Sequence, residues 1–242
     1  MKPFFYLLAL LILLACEAEP GLRELEAAYA ANPQAETLAA LEAAYSEALA
    51  APDLSAAERQ SLLVRQGVLF IKQDNYAALG QTLTNAIQDD DAPRGEFFIL
   101  LDSLLANMTD PSEGRLKPQA ALQYIAAVSN FAQRYPAAPQ SPELLYKGAE
   151  IARSIGALQR ALDMYEQIET KFPNYERAST ALFMRAFTYG ENLQNEEEAR
   201  RLYQLFLEKY PDDDFADDAA MLLQTLGKSD EEIFQELIKE KN

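Results

Sequence analysis

The sequence predicts an all-α fold of antiparallel helical hairpins, and three observations point there. The chain has 242 residues, is rich in Ala and Leu, and holds only 9 glycines. No interior stretch shows the period-two alternation of a half-buried strand. The second half repeats itself: Tyr135-Pro136, Phe172-Pro173 and Tyr210-Pro211 recur at spacings of 37 and 38.

The elements are taken in order along the sequence. Lys2 is the only charge before the apolar run from Phe4 to Ala15, which ends Leu13-Leu14-Ala15-Cys16. A charged start, a short apolar middle and small residues before a cut site make a secretory signal over 1–15. A transmembrane helix is the competing reading, but twelve residues reach only ~18 Å against a hydrocarbon core of ~30 Å. Cys16 is the single cysteine. This run resembles a bacterial lipoprotein signal, whose lipobox ends in a small residue and a cysteine. The resemblance implies that Cys16 is lipidated, becomes the first mature residue and anchors the protein to a membrane. Residues 16–20 are then a short tether, spanning at most about 20 Å to the first helix near Leu22. Glu17, rather than aspartate, follows the cysteine. By the sorting rule of such lipoproteins, this implies the outer membrane, facing the periplasm.

Residues 21–134 read as degenerate helical hairpins. Leu25-Glu-Ala-Ala-Tyr29 is echoed by Leu41-Glu-Ala-Ala-Tyr45, and Asn32-Pro33 and Ala51-Pro52-Asp53 break helices. Ser55 with Glu58 has the spacing of a capping box. Asp74-Asn75-Tyr76 reads as a tight interhelical turn. Phe97 to Leu101 is apolar enough for burial on several sides. A loop is expected over 111–118 and a long helix over 117–134.

Residues 135–242 carry the repeat. Ala149, Ala161, Tyr165 and Pro173 return as Ala186, Ala199, Tyr203 and Pro211. Small residues suit close helix crossings, aromatics fill the space between hairpins, and proline stops the second helix. This pattern resembles the tetratricopeptide repeat: a small residue in helix A, then Ala and an aromatic four later in helix B, then proline. The family's period is 34, so the extra residues belong in loops such as 191–198. Ser141-Pro142-Glu143 reads as an N-cap followed by proline in the first turn. Gly227 ends a helix, and Ser229 with Glu232 caps a last one whose Ile233, Phe234 and Leu237 either cap the array or form a docking face. Lys239 to Lys241 suit that helix's C-terminus. Ten to twelve helices are expected, stacked as a tetratricopeptide-like α-solenoid and continuous rather than split into independent domains.

Charge and composition exclude much. The net charge of -17 becomes -18 without Lys2, which argues against nucleic acid. Acidic runs at Asp89 to Asp91, Glu196 to Glu198, Asp212 to Asp214 and Asp217-Asp218 fall in loops or helix starts and lack calcium-loop spacing. There is no histidine and no cysteine beyond Cys16, so Ser-His and thiol chemistry are excluded. No nucleophile elbow, phosphate loop or dinucleotide fingerprint occurs. We expect neither catalysis, cofactor nor metal.

The candidate site is a surface. In the repeat register Tyr146, Phe183 and Met221 are equivalent, flanked by Glu143 and Glu150 and by Thr180 and Phe187. In the family such helix-A positions often face a groove that grips a partner, which implies an aromatic groove with an acidic rim. The same side chains also suit packing under the next hairpin, and both readings stand at this point. The whole sequence resembles uncharacterised Bacteroidetes-type tetratricopeptide lipoproteins and, more distantly, BamD-like outer-membrane assembly lipoproteins. That implies a non-enzymatic protein–protein scaffold of the cell envelope. The alternative is a glycan- or ligand-binding lipoprotein of an outer-membrane uptake system.

Overall fold

A computed structural model describes residues 20–88 and 95–229, together with 231, 232 and 235. The signal, Cys16, the Glu17–Glu19 part of the tether, Asp89 to Asp91, Ile233, Phe234, Leu237 and Lys239 to Lys241 lie outside the described residues. The fold is all-α, a helical-repeat architecture of antiparallel hairpins with eleven α-helices among the described residues. The protein divides into two compact units, residues 1–127 and 128–242.

The first unit contains α1 (Pro20–Ala31), α2 (Ala35–Leu49), α3 (Ala56–Lys72), α4 (Tyr76–Asn85) and α5 (Gly95–Ala106). The helix α6 (Pro118–Arg134) begins in it and runs across the boundary. Asn32-Pro33 separates α1 from α2 as expected, and Ser55 and Glu58 form the capping box that opens α3. Helix α1 packs on α2, α2 on α3, and α3 on both α4 and α5. Leu22, Leu41, Tyr45, Leu62 and Leu69 share one core cluster. Gly67 of α3 faces Leu100 of α5, and a Cβ there would fall 2.6 Å from the leucine Cδ1. One polar knot is built into the packing: the Glu26 carboxylate accepts from the Tyr45 hydroxyl and from Arg65 Nε at 2.8 Å. Between α5 and α6 the backbone makes a tight loop closed by a bridge between Thr109 and Leu116, and Lys117 pairs with Asp74 at 2.9 Å.

The second unit contains α7 (Ser141–Ser154), α8 (Leu158–Lys171), α9 (Ala178–Phe187), α10 (Glu196–Lys209) and α11 (Ala216–Thr225). Each helix packs on its successor. The family-like alanines and tyrosines are core: Ala149, Ala161, Tyr165, Ala186, Ala199 and Tyr203 are buried, whereas Pro173 and Pro211 are exposed. The three Pro-containing loops are one structure repeated. The amide of Tyr135, Phe172 or Tyr210 donates back four residues, to Phe131, Ile168 or Phe206. The carbonyls of the same three residues then accept from the amides of Ala138, Tyr175 and Asp213. Ser141 departs from its expected role. It is the first helical residue, after Gln140, and its fully buried hydroxyl donates 2.7 Å to the Tyr135 carbonyl. The proline that follows it stands in the first turn, as expected.

The hairpin turns repeat too, and here the period changes. Asp74, Gly156 and Gln194 hold positive φ, each followed by the first residue of the next helix or its cap. From the small residue Gly67 or Ala149 to this turn is 7 residues, but from Ala186 to Gln194 it is 8. The additional residue is absorbed by a π-helical turn, Thr188–Asn192, that continues α9. The closing bond follows suit. Asn75 and Ala157 donate to the carbonyl five residues back, at 2.9 and 2.8 Å, whereas Asn195 reaches six back, to Tyr189, at 2.9 Å. The extra residue therefore sits inside the helix rather than in the loop that the sequence suggested. A single π turn keeps Ala186 and Ala199 both in the core while the count between them rises by one.

Candidate functional site

Two residues set the character of the helix-A face. Tyr146 and Phe183 are each only 6% exposed. Both are held by aromatic packing. The Tyr146 ring meets Tyr165 of α8 edge-on at 6.1 Å. Phe183 stacks on Phe215 at 4.8 Å and meets Phe206 and Tyr203 edge-on at 5.7 and 5.9 Å. Such geometries exceed simple area burial in worth. Met221, the third equivalent, is 56% exposed on α11. Phe187 is half-buried and stacks beside Phe183 at 6.5 Å, and Thr180 is half-buried. The face is therefore closed at its first two aromatic positions and open at the third.

Glu143 and Glu150 behave differently from each other. Glu143 stands in the first turn of α7 and is fully engaged. The Tyr175 hydroxyl donates to it, Lys147 lies at 3.5 Å and Arg177 at 3.9 Å. Partial burial works to raise its carboxyl, but the Tyr175 hydroxyl, Arg177 and Lys147 outweigh it and hold the group below the ordinary glutamate value. The Arg177 guanidinium also lies 5.1 Å over the Tyr146 ring, a cation–π contact. Glu150 is exposed one turn beyond Tyr146. With Lys147 and Arg177 against Glu143, the rim is charge-balanced here rather than acidic.

The structure thus brings Glu143 and Tyr146 together through Arg177, and Phe183 and Phe187 through stacking. Residues that the sequence reading passed over complete the site. Tyr175 and Arg177 come from the loop after α8, where nothing in the pattern marks them. Arg153 was open to discovery, because it follows Tyr146 by 7 and Glu150 by 3 on one stripe of α7. On the far side of α9, Arg185 is buried between Glu166 at 2.7 Å and Glu169 at 3.0 Å, and Lys209 reaches Glu169 at 3.5 Å. That network ties α8, α9 and α10 together. Among the described residues no group of three or more His, Cys, Asp or Glu is arranged to hold a metal. No helix among them is long and apolar enough to cross a membrane.

With this geometry in hand the comparison with known families is decisive for one segment. Residues 180–213, from α9 through α10 into the following loop, match the tetratricopeptide repeat. This protein contains a tetratricopeptide repeat. The matched segment includes the π turn and the Ala186, Ala199, Tyr203 and Pro211 signature. No curated protein matches the sequence. Repeats of this type are protein–protein interaction scaffolds, which implies protein partners here.

Proposed function

We propose that this protein is a non-enzymatic scaffold of a bacterial cell envelope, tethered to the membrane through a lipidated Cys16 and presenting its second unit to a protein partner. The observation that carries the reading is the repeated hairpin of the second unit, with a family match over one full period. The same three-loop hydrogen-bond pattern recurs along it. The alanines and tyrosines of the repeat signature lie in its core, and what the unit offers outward is helix surface. The tether rests on sequence alone: the Leu13-Leu14-Ala15-Cys16 run and the absence of any other cysteine. Outer-membrane placement, facing the periplasm, follows from Glu17 after the cysteine. A protein partner is favoured over a glycan, because Tyr146 and Phe183 lie edge-on and stacked in the core and offer no open ring to a sugar.

The test is photo-crosslinking in cells. A crosslinking residue at Met221 samples the open end of the helix-A face, and one at Glu208, exposed on α10, serves as control. Capture of one envelope protein at Met221 alone supports the scaffold reading. Equal capture at both positions, or none at Met221, counts against it. For the tether, metabolic labelling with an alkynyl fatty acid should mark the protein and leave the Cys16→Ser variant unmarked. Labelling that survives in the variant would remove Cys16 from the proposal.

A further inference from the structure

Tyr146, Phe183 and Met221 each stand 11 residues after a loop aromatic, Tyr135, Phe172 and Tyr210. The first two are met by a tyrosine of the helix that follows, Tyr165 at 6.1 Å and Tyr203 at 5.9 Å. Met221 keeps 56% of its surface open, and Leu222 and Leu223 beside it are half-buried. Yet the chain turns after α11 as it does after α7 and the π turn. Gly227 holds a φ of +80°, and a Cβ there would collide with the Glu196 carboxylate. Arg200 of α10 donates 3.3 Å to the Leu226 carbonyl. The turn is therefore pinned against α10, and Ser229 opens a new helix. Its hydroxyl accepts from the Glu232 amide at 3.3 Å, and the Glu232 carboxylate accepts from the Ser229 amide at 2.8 Å. Glu231, Glu232 and Gln235 are helical and exposed, with Gln235 Nε2 donating 2.8 Å to Glu231. At about 3.6 residues per turn, Ile233, Phe234 and Leu237 fall on the opposite side of that helix.

We propose that residues 230–242 are a self-ligand that seats on α11 over Met221 and must be displaced before a partner protein can use that face. This rests on the reading of the second unit as a partner scaffold. Length, register and charge all name this occupant. Thirteen residues follow Ser229, close to the 14 of α8 and of α10. Gly227 stands 6 residues after Met221, so a helix returning from it draws level with Met221 near Ile233 and Phe234. The first turn of α11 and the loop before it carry exposed Asp212, Asp214, Asp217 and Asp218. The antiparallel path brings Lys239 and Lys241 to these carboxylates. The seat is also short: Tyr146 and Phe183 stand 10 and 11 residues before their turns at Gly156 and Gln194, against the 6 of Met221. A helix of this length is marginal by itself in water and depends on the face for its order. A short seat and a dependent helix make the contact exchangeable rather than permanent.

The experiment uses the full mature protein with a photo-crosslinking residue at Met221. In the purified protein, irradiation should join that position to the segment 230–242 within one molecule, at a yield that dilution does not change. In cells, Ile233→Glu with Leu237→Glu should raise partner capture at Met221 at least about threefold, because a face open one-third of the time binds with one-third of its intrinsic affinity. Lys239→Glu with Lys241→Glu leaves every apolar residue in place and should raise capture by a smaller factor. The absence of an internal product would overturn the proposal. A product that fades on dilution would overturn it too, by showing a second copy on the face. Capture that neither variant changes would show a permanent cap and overturn the displacement. In each of these cases selective capture at Met221 leaves the scaffold standing. No capture at Met221 in any of the chains, with the internal product present, counts against the scaffold and overturns the displacement with it.

Discussion

Deleting Asn192 tests the account of the changed period. In the first hairpin of the second unit, Ala149 and Ala161 are 12 residues apart; in the next, Ala186 and Ala199 are 13 apart. If the π turn over Thr188–Asn192 absorbs the difference, removing one exposed residue from it restores the 12-residue count. The Leu193 amide, which now donates to Thr188 five back at 3.1 Å, then takes an ordinary α-helical partner. No buried side chain is lost, because Asn192 is exposed. One fewer residue must be ordered, worth about 1–2 kcal/mol of backbone entropy, against some loss of fit at the turn. The net expectation is a change between zero and about 1 kcal/mol in favour of folding. The control is deletion of Arg200, equally exposed but in the α-helical register of α10. That deletion rotates Ala199 away from Leu202, Tyr203 and Phe206, all of which are buried. Each large side chain displaced costs about 1.5–3 kcal/mol, so the total approaches the whole stability of a domain. Urea unfolding followed by helical circular dichroism separates the two. If both deletions destabilise alike, the π turn is not an inserted residue and the reasoning fails.

Three further outcomes follow from the packing and the charges. Gly148→Ala puts a Cβ 2.7 Å from the stiff Val128 Cγ2 and 2.9 Å from Met164 Sδ, so overpacking outweighs the gain in helix propensity and costs about 1–2 kcal/mol in urea unfolding. Arg185→Met should cost about 2 kcal/mol, because Glu169 keeps only the more distant Lys209. A full reversal, with the variant more stable, would mean the network imposes more desolvation than it returns. Acid unfolding probes Asp74. The Tyr76 hydroxyl and Lys117 hold its carboxyl below the usual aspartate value, so the unfolded state binds the proton more readily. Its contribution is complete above the unfolded value near 4 and fades as pH falls through the lower folded one. Asp74→Asn, which tolerates the same left-handed backbone, should flatten the stability profile below about pH 5 and leave its shape unchanged above it.

Much of the fold was open to reading because its signals are local. Ser55 with Glu58, Asp74-Asn75, Gly227 and Ser229 with Glu232 act through bonds to the nearest backbone, and the structure shows each where it was expected. Ser141 was misread as a cap because its hydroxyl bonds backward into the loop rather than forward into the helix. The hairpin of α3 and α4 hid its kinship with the later ones. Gly67, Leu79 and Leu83 keep the spacing of Ala149, Ala161 and Tyr165 but not the residue types. The candidate site was less accessible. Its stripe on α7 follows from helical periodicity, but Tyr175 and Arg177 reach Glu143 across 32 and 34 residues of sequence, which no local pattern records.

By itself the sequence determined the all-α class, the hairpin boundaries and the repeat register, since helix periodicity, caps and prolines act within a few residues. Only the tertiary structure decided which of three equivalent positions stays open. Phe183 is covered because Phe215 arrives from the next loop to stack on it, and Tyr146 because Tyr165 and Arg177 close over it. Met221 is exposed at 56%, with none of those partners. Equivalence in a repeat sets where a side chain starts, but its burial depends on neighbours brought in by other helices and loops.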